Sequence, residues 1–454
     1  MNPSATTTTL AERLRPQLTG RVITPGDADY DPLRTTHYGA PDARPAVIVR
    51  AASTSDVVHA VTAARESGLE LAVRSGGHSA AGHSTTQSGI LLDLGDMKDL
   101  EIDAGNRTAL AQPGLTAGEY NTAVAEHGLA TGFGDTTSVG VAGITLGGGV
   151  GLLTRRYGLT IDSLLAVEIV TADGRVLEAD AERHPDLFWA VRGGGGNFGV
   201  VTRLTFQLHP VDQVVGGLLV LPATAGVIEG FARLAAAAPD ELTTIANLMP
   251  YPPMPFVPEE IHGRPVLMAQ LVHTGTPAVA EQTLAPFRAL AQPYADLVRP
   301  MRYTEIFQEE DMGAMPEVVV RGGLVRELDA RGAATLADAV ATPGSPRIAQ
   351  LRVLGGAVAR VGADATAYAH RDVPMMLMLV AFCEGPEDRA RQEAWLEEAS
   401  GLLDTATYVN FLGRAGADEV RAAYPGRTWD RLVEAKRRYD PENLFRLNHN
   451  VTPG

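Results

Sequence analysis

The residues best placed to do chemistry are an imidazole behind two glycines, in Val73-Arg74-Ser75-Gly76-Gly77-His78-Ser79, directly after the strand-like run Leu69 to Val73. Paired glycines let main-chain N–H groups converge on an anion without side chains in the way, and they hold the next side chain close to whatever binds. Two more glycine-dense blocks follow. Val139-Gly140-Val141-Ala142-Gly143 runs on to Gly147-Gly148-Gly149-Val150-Gly151, and Gly193 to Gly196 runs on to Asn197-Phe198-Gly199-Val200. The spacing of Gly147, Gly149 and Gly151 by two departs from the G-x-G-x-x-G dinucleotide fingerprint. The interleaved Val, Ile and Leu predict backbone held tightly against a flat ligand. No metal is expected: Cys383 is the single cysteine, and Met375, Met376 and Met378 lack companion ligands, so they read as core or pocket wall.

The elements that must position these groups are legible around them. Residues 46 to 74 predict a β-α-β unit, with strand Ala46 to Arg50, N-cap Ser55, the apolar face Val57, Val58, Val61 and Ala64, and a stop at Gly68. The Gly-Gly-His turn therefore sits at the carboxyl end of a strand, where α/β proteins commonly place ligands. A hairpin is predicted from Ala166–Thr171 through Asp173-Gly174 to Val176–Glu178. Past residue 211 the glycine clusters thin out. Strand-like runs Gly217–Leu221 and Val266–Val272 then alternate with Ala-rich helical segments such as Ala278–Ala291, and the loop Pro250 to Pro258 carries Tyr251, Met254 and Phe256. Trp429 to Arg438 predicts an Arg-rich helix near the end.

Composition narrows the function classes. A chain of 454 residues is too long for one ordinary core, so two or three domains are expected. A net charge of −16 argues against nucleic-acid or anionic-membrane partners, which need basic surface. No apolar run is long enough for a membrane span, and the N-terminus lacks a secretory layout, so a cytoplasmic location is expected.

Four ordered motifs resemble the berberine bridge enzyme-like flavoproteins of the vanillyl-alcohol oxidase superfamily. They are Arg74 to Ser79; Gly147 to Gly151 with Tyr157-Gly158-Leu159-Thr160-Ile161-Asp162; Phe188 to Gly195; and Tyr439-Asp440-Pro441-Glu442-Asn443-Leu444-Phe445-Arg446 through Asn450. In texture the chain is similar to the bacterial branch that holds 6-hydroxy-D-nicotine oxidase and the enterocin-pathway flavoprotein. The strand reading Leu351 to Arg360 and the segment Tyr408-Val409-Asn410-Phe411 support that subgroup. The resemblance implies an α+β fold: a two-subdomain FAD-binding domain of the PCMH type over residues 1–210, and a substrate domain with an antiparallel sheet flanked by helices over 211–414. Residues 415–454 would return to the FAD-binding domain.

The resemblance also implies FAD with its pyrophosphate on the main chain of Arg74, Ser75, Gly76, Gly77 and Ser79. His78 would form a covalent bond to the flavin 8α-methyl, which requires a neutral imidazole with a free lone pair. Further cofactor contacts are expected from His83, Thr136, Val139, Gly140, Gly143, Gly147, Gly149, Gly151, Gly199, Val200, Asn448 and Asn450. Where relatives carry a second attaching cysteine this chain has Thr136, so a single covalent link is expected. Relatives often supply a Glu base before the Gly-Gly pair, but by strand alternation Gln350 and Arg352 share that face and neither is a carboxylate. Tyr408, with Asn410 on the same strand face, is the expected base; water, an Arg352-activated Tyr or the substrate itself stay open. Arg192 would pair with an acidic residue or the cofactor, and His273 reads as structural.

The expected activity is an FAD-dependent oxidase. It would take a hydride from a C–H next to a hydroxyl or amine of a small organic substrate and pass electrons to dioxygen, giving hydrogen peroxide. Tyr251, Met254, Phe256, Phe307 and Met312 suit a partly apolar natural-product intermediate. An oxygenating enzyme acting on a polyketide-like intermediate, and a metabolite-sequestering flavoprotein, are the alternatives. Monomer and homodimer are both open.

Overall fold

The computed structural model describes residues 3–38, 42–252, 259–307, 317–341, 346–404, 406–413 and 415–454. Met254, Phe256 and Met312 lie outside the described residues.

Strand formation in the first 210 residues follows two patterns. Val47–Arg50, which is β-branched, and Leu71–Arg74 are short and largely buried, and both lie parallel to Ile90–Asp93, which sits between them. A parallel pair needs a crossover, and helix Thr54–Ser67 supplies it. Ser53, not Ser55, caps that helix by accepting from the Asp56 N–H, and Gly68 ends it with φ 66°. The second pattern is antiparallel: five strands in the order 100–103, 108–111, 200–207, 164–170, 176–180. The last two form the hairpin expected around Asp173-Gly174.

Beyond residue 211 one antiparallel sheet dominates. Strands 213–222, 265–273, 242–250, 347–353, 375–383 and 317–325 lie side by side in that order. One face carries Leu248, Leu267, Leu351 and Leu377, buried against Phe231, Leu284, Leu336 and Trp395 from four helices. Helix Pro277–Arg288 runs through Pro286 without ending. Cys383 is buried on this helix-covered side. The opposite face carries Asn247, Gln350 and Arg352 beside Ile245, Leu324 and Met376, which are buried against residues of the N-terminal half. The architecture is the α+β arrangement of antiparallel sheets and helices expected from sequence. Among the described residues no helix is long and apolar enough to cross a membrane.

Two expected strands are different in the structure. The strand through Leu351 ends at Val353, because Gly355 and Gly356 adopt φ 90° and 53° and turn the chain into helix Ala357–Arg360. Val409–Phe411 is a single 3-10 turn, so strand alternation does not govern Tyr408, Asn410 and Phe411.

The C-terminal helix Arg427–Tyr439 lays Leu432, Ala435 and Tyr439 into the same core as Phe188, Trp189 and Phe198. Its Lys436 is fully buried and bonds Asp440 at 2.6 Å together with the carbonyls of Asn197 and Phe445. A buried cation survives only with such partners.

Candidate active site

The Gly-Gly-His turn is fixed from both sides. Arg74 is buried and its guanidinium is spent on Asp93 at 2.7 Å and on the carbonyls of Thr35 and Leu33, so its side chain braces the loop and faces no ligand. Ser75 donates to the Pro113 carbonyl. A Cβ on Gly76 would lie 2.3 Å from the Gly140 nitrogen, and one on Gly140 would lie 2.1 Å from Ser75 Oγ, so the first two glycine blocks touch backbone to backbone. Gly77 needs its φ of 74°.

His78 projects from this turn with its ring stacked on His37 at 3.9 Å and its Nε2 3.1 Å from Ser138 Oγ. Burial, then the neighbouring His37, pulls its pKa down to about 4. The imidazole is therefore neutral at physiological pH, as nucleophilic attachment requires. His83 packs edge-on against His449 at 4.9 Å.

The second glycine block is mostly helix. Val141–Gly147 starts at Gly140, and Gly143 stands exposed on it, with no atom within 4 Å of where a Cβ would stand. The other members answer to protein instead. A Cβ on Gly147 would lie 2.0 Å from Asn410 Oδ1, on Gly149 2.0 Å from Thr160 Oγ1, and on Gly151 2.6 Å from the Phe133 carbonyl. The close approach expected toward a flat ligand is thus made to neighbouring chain at Gly147, Gly149 and Gly151. Gly199 likewise approaches the Val170 carbonyl, and Val200 is buried on its strand. Thr136 and Val139 lie half-buried in the loop before the helix. Among the described residues Arg192 makes no hydrogen-bonded ion pair, although Asp162 is near enough to act on it through charge: it donates to the Phe188 and Ala365 carbonyls and lies over the Phe188 ring. His273 is fully buried and accepts from the Gly275 N–H, a structural role.

The four residues expected to serve catalysis form one connected set. Tyr408 Oη accepts from the Gly149 N–H and from Asn410 Nδ2, both at 2.8 Å, and Asn410 also donates to the Ile144 carbonyl. Burial pushes the Tyr408 phenol up to about 12, against the two donors that lower it. Gln350 and Arg352 do share a face, with Arg352 Nε 2.8 Å from Gln350 Oε1. Arg352 continues to the Val150 carbonyl and to both oxygens of Asp135 at 2.9 Å, and its guanidinium lies 5.0 Å from the Phe411 ring centre. Asp135 was not legible in sequence: it arrives from 217 positions away. His37 was missed for the same reason, since only the fold stacks it on His78. Phe307 packs edge-on against Tyr303, and Tyr251 is buried.

The donor set fits a large polar cofactor. Asn448 Oδ1 and Asn450 Oδ1 are buried acceptors without a hydrogen-bond partner, on either side of His449. Buried polar atoms are rarely left so. Gly143, Gly195 and Gly196 leave open space where a side chain would stand. Hydroxyl and imide donors such as those of FAD would satisfy the two asparagines.

Comparison with known proteins gives the same direction over the whole length. An FAD binding domain model matches residues 45–180, and a berberine and berberine-like model matches residues 407–452. The chain is 32% identical over 451 residues to (R)-6-hydroxynicotine oxidase of Paenarthrobacter nicotinovorans, covering 96% of this chain and 97% of the relative. It is 30% identical over 456 residues to an FAD-linked oxidoreductase of Bacillus subtilis, covering 96% and 98%. Among solved structures, 6-hydroxy-D-nicotine oxidase from Arthrobacter nicotinovorans superposes with a TM-score of 0.85 at 29% identity, covering 96% of this chain and 98% of that one. Xylooligosaccharide oxidase from Myceliophthora thermophila, at 23% identity and a TM-score of 0.86 over 98% and 99%, shares the fold.

Proposed function

This chain belongs to the berberine bridge enzyme-like FAD-linked oxidoreductases, and from that membership we propose that it is an oxidase acting on a carbon that bears a hydroxyl or amine in a small organic substrate, with dioxygen as electron acceptor and hydrogen peroxide as product. Residues 1–210 with 415–454 would hold FAD and residues 211–414 the substrate. FAD, when bound, supplies the hydride acceptor and the route to dioxygen; the protein supplies orientation and electrostatics. The main chain of Arg74 to Ser79, with Thr136, Val139, Gly140 and Gly143, would carry the cofactor's diphosphate end and body, and Asn448 and Asn450 would accept from its polar edges.

His78 is the attachment residue in this reading. Its neutral ring, clamped between His37 and Ser138, is the single observation that carries the assignment. A lone pair held in place is what an imidazole needs to bond carbon. With Thr136 where a thiol would stand, and Cys383 buried in another core, one covalent link is proposed. Tyr408, oriented by Asn410 and Gly149, would accept the proton leaving the substrate heteroatom once its own phenol is ionised.

The test is direct. The purified protein should keep yellow colour and flavin fluorescence through acid precipitation and a denaturing gel, and His78→Ala should lose both. Release of all flavin from the unmutated protein by acid would overturn the attachment. One peroxide formed per substrate oxidised supports the oxidase; less peroxide, with oxygen found in the product, supports the oxygenating reading.

A further inference from the structure

The face of the large sheet turned away from its helices carries, among buried apolar side chains, a hydrogen-bonded relay whose polarity is fixed. Asn247 and Gln350 are direct cross-strand partners, flanked in the same row by Met268 and Met378, so all four side chains project to one side. Gln350 Nε2 donates to Asn247 Oδ1 at 2.9 Å, and Arg352 Nε donates to Gln350 Oε1 at 2.8 Å. An amide nitrogen and oxygen are easily exchanged in assignment, but here the arginine decides. A guanidinium only donates, so Gln350 must turn its oxygen to Arg352 and its NH2 to Asn247. Asn247 must then offer its oxygen back, which leaves its own NH2 at the outer end of the relay, where no acceptor among the described residues meets it.

Charge follows the same logic. Arg352 is buried and matched by Asp135 behind it, while Phe411 covers its face. The relay therefore ends in uncharged N–H donors between two thioethers. A carboxylate or ammonium placed there would lose its hydration against no opposite charge, whereas an oxygen acceptor on a flat apolar body would satisfy the free donors.

We propose that Asn247 and Gln350 form a substrate-reading pair that selects an uncharged, flat organic molecule through a carbonyl or hydroxyl oxygen, with Arg352 and Asp135 as positioning residues that set the direction of the pair. The proposal rests on the oxidase reading above and names the substrate class of the same site.

The test is calorimetric titration of the purified holoprotein with three probes of similar shape, of which only the first carries an uncharged oxygen: acetophenone, benzoate and benzylamine. The uncharged ketone should bind about tenfold or more tighter than either ion, in keeping with the cost of an unpaired buried charge. Asn247→Leu should weaken the ketone by about three- to tenfold, the range of one neutral hydrogen bond. Asn247→Asp, which turns a donor end into an anionic acceptor, should weaken the ketone and strengthen benzylamine. Asn247→Ser, a small polar change, guards against misfolding and should fall between parent and Leu. Tighter binding of either ion by the unmutated protein, no ketone binding at millimolar concentration, or equal ketone affinity in Asn247→Leu would each overturn the proposal. The oxidase reading is scored separately on the same samples by their flavin content and by peroxide formation, so either can fail alone.

Discussion

A phenol whose oxygen already accepts from a backbone N–H and an amide has only its own proton left to trade. That is the situation of Tyr408, and burial raises its pKa to about 12, so the neutral hydroxyl is the resting form. If Tyr408 carries the proton, Tyr408→Phe should slow anaerobic flavin reduction by substrate about a hundred- to ten-thousandfold, the usual worth of general-base help. Reoxidation of reduced flavin by oxygen should be nearly unchanged. The reduction rate of the unmutated protein should also climb as pH approaches about 12, because the phenolate fraction grows below that value. Stopped-flow timing of the two half-reactions checks both, and normal reduction in the variant would make Tyr408 a packing residue and leave Gln350 and Asn247 to orient substrate without a side-chain base. The sequence placed Gln350 and Arg352 on one face correctly because strand alternation is local. It could not place Asp135 or His37, whose partners are distant in the chain. It also misread residues 408–411, where a 3-10 turn, not a strand, brings Asn410 back onto Tyr408.

At the scale of elements, the helix Val141–Gly147 links the two parts of the site, since its start touches the His78 turn and its end touches Asn410. Its glycines are not equivalent. Gly140 has the Gly76 nitrogen 2.4 Å from where a Cβ would stand, whereas Gly143 has nothing within 4 Å. Gly143→Ala should therefore raise the stability of the flavin-free protein by roughly 0.5–1 kcal/mol, as Ala for Gly does inside a helix. If the cofactor runs over that open face, the same change should lower flavin incorporation. Gly140→Ala should lower both, by forcing the Gly76 backbone away. Thermal melts and flavin-to-protein absorbance ratios separate the outcomes, and full flavin loading of Gly143→Ala would place the cofactor elsewhere. The β-α-β unit and the 164–180 hairpin were legible because Gly68 and Asp173-Gly174 sit beside clear apolar periodicity, although the helix is capped by Ser53 and not by the expected Ser55. The glycine block was not, since a glycine that admits a neighbouring strand or turn looks in sequence like one that admits a ligand.

For the whole molecule, distant segments share apolar cores and are also tied by buried polar pairs. Lys436 with Asp440 ties the C-terminal segment to Asn197, Arg371 with Asp162 ties residue 371 to the N-terminal half at 2.7 Å, and Arg352 with Asp135 joins the large sheet to the loop before the 141–147 helix. Motifs spread from residue 74 to 450 made the architecture readable, while these ties needed the folded chain. Two histidines at such junctions stay neutral. Burial lowers His209, stacked on Tyr157, to about 4, and burial with the adjacent His83 lowers His449 to about 3. Unfolded histidines titrate near ~6.5, so unfolding takes up protons between that value and the folded pKa values, and stability present above ~6.5 is lost as pH falls toward them. Each ring contributes at most about 1.4 kcal/mol per pH unit in that window, whose upper part, from ~6.5 to ~5, lies above the range where most unfolded carboxylates protonate. Urea midpoints at equal flavin loading should therefore drop between pH ~7 and pH ~5. His209→Gln, which keeps a hydrogen-bonding partner for Ser163 but cannot take up a proton, should lose less stability over the same interval; a drop equal to that of the unmutated protein would exclude His209 as a source of the acid sensitivity.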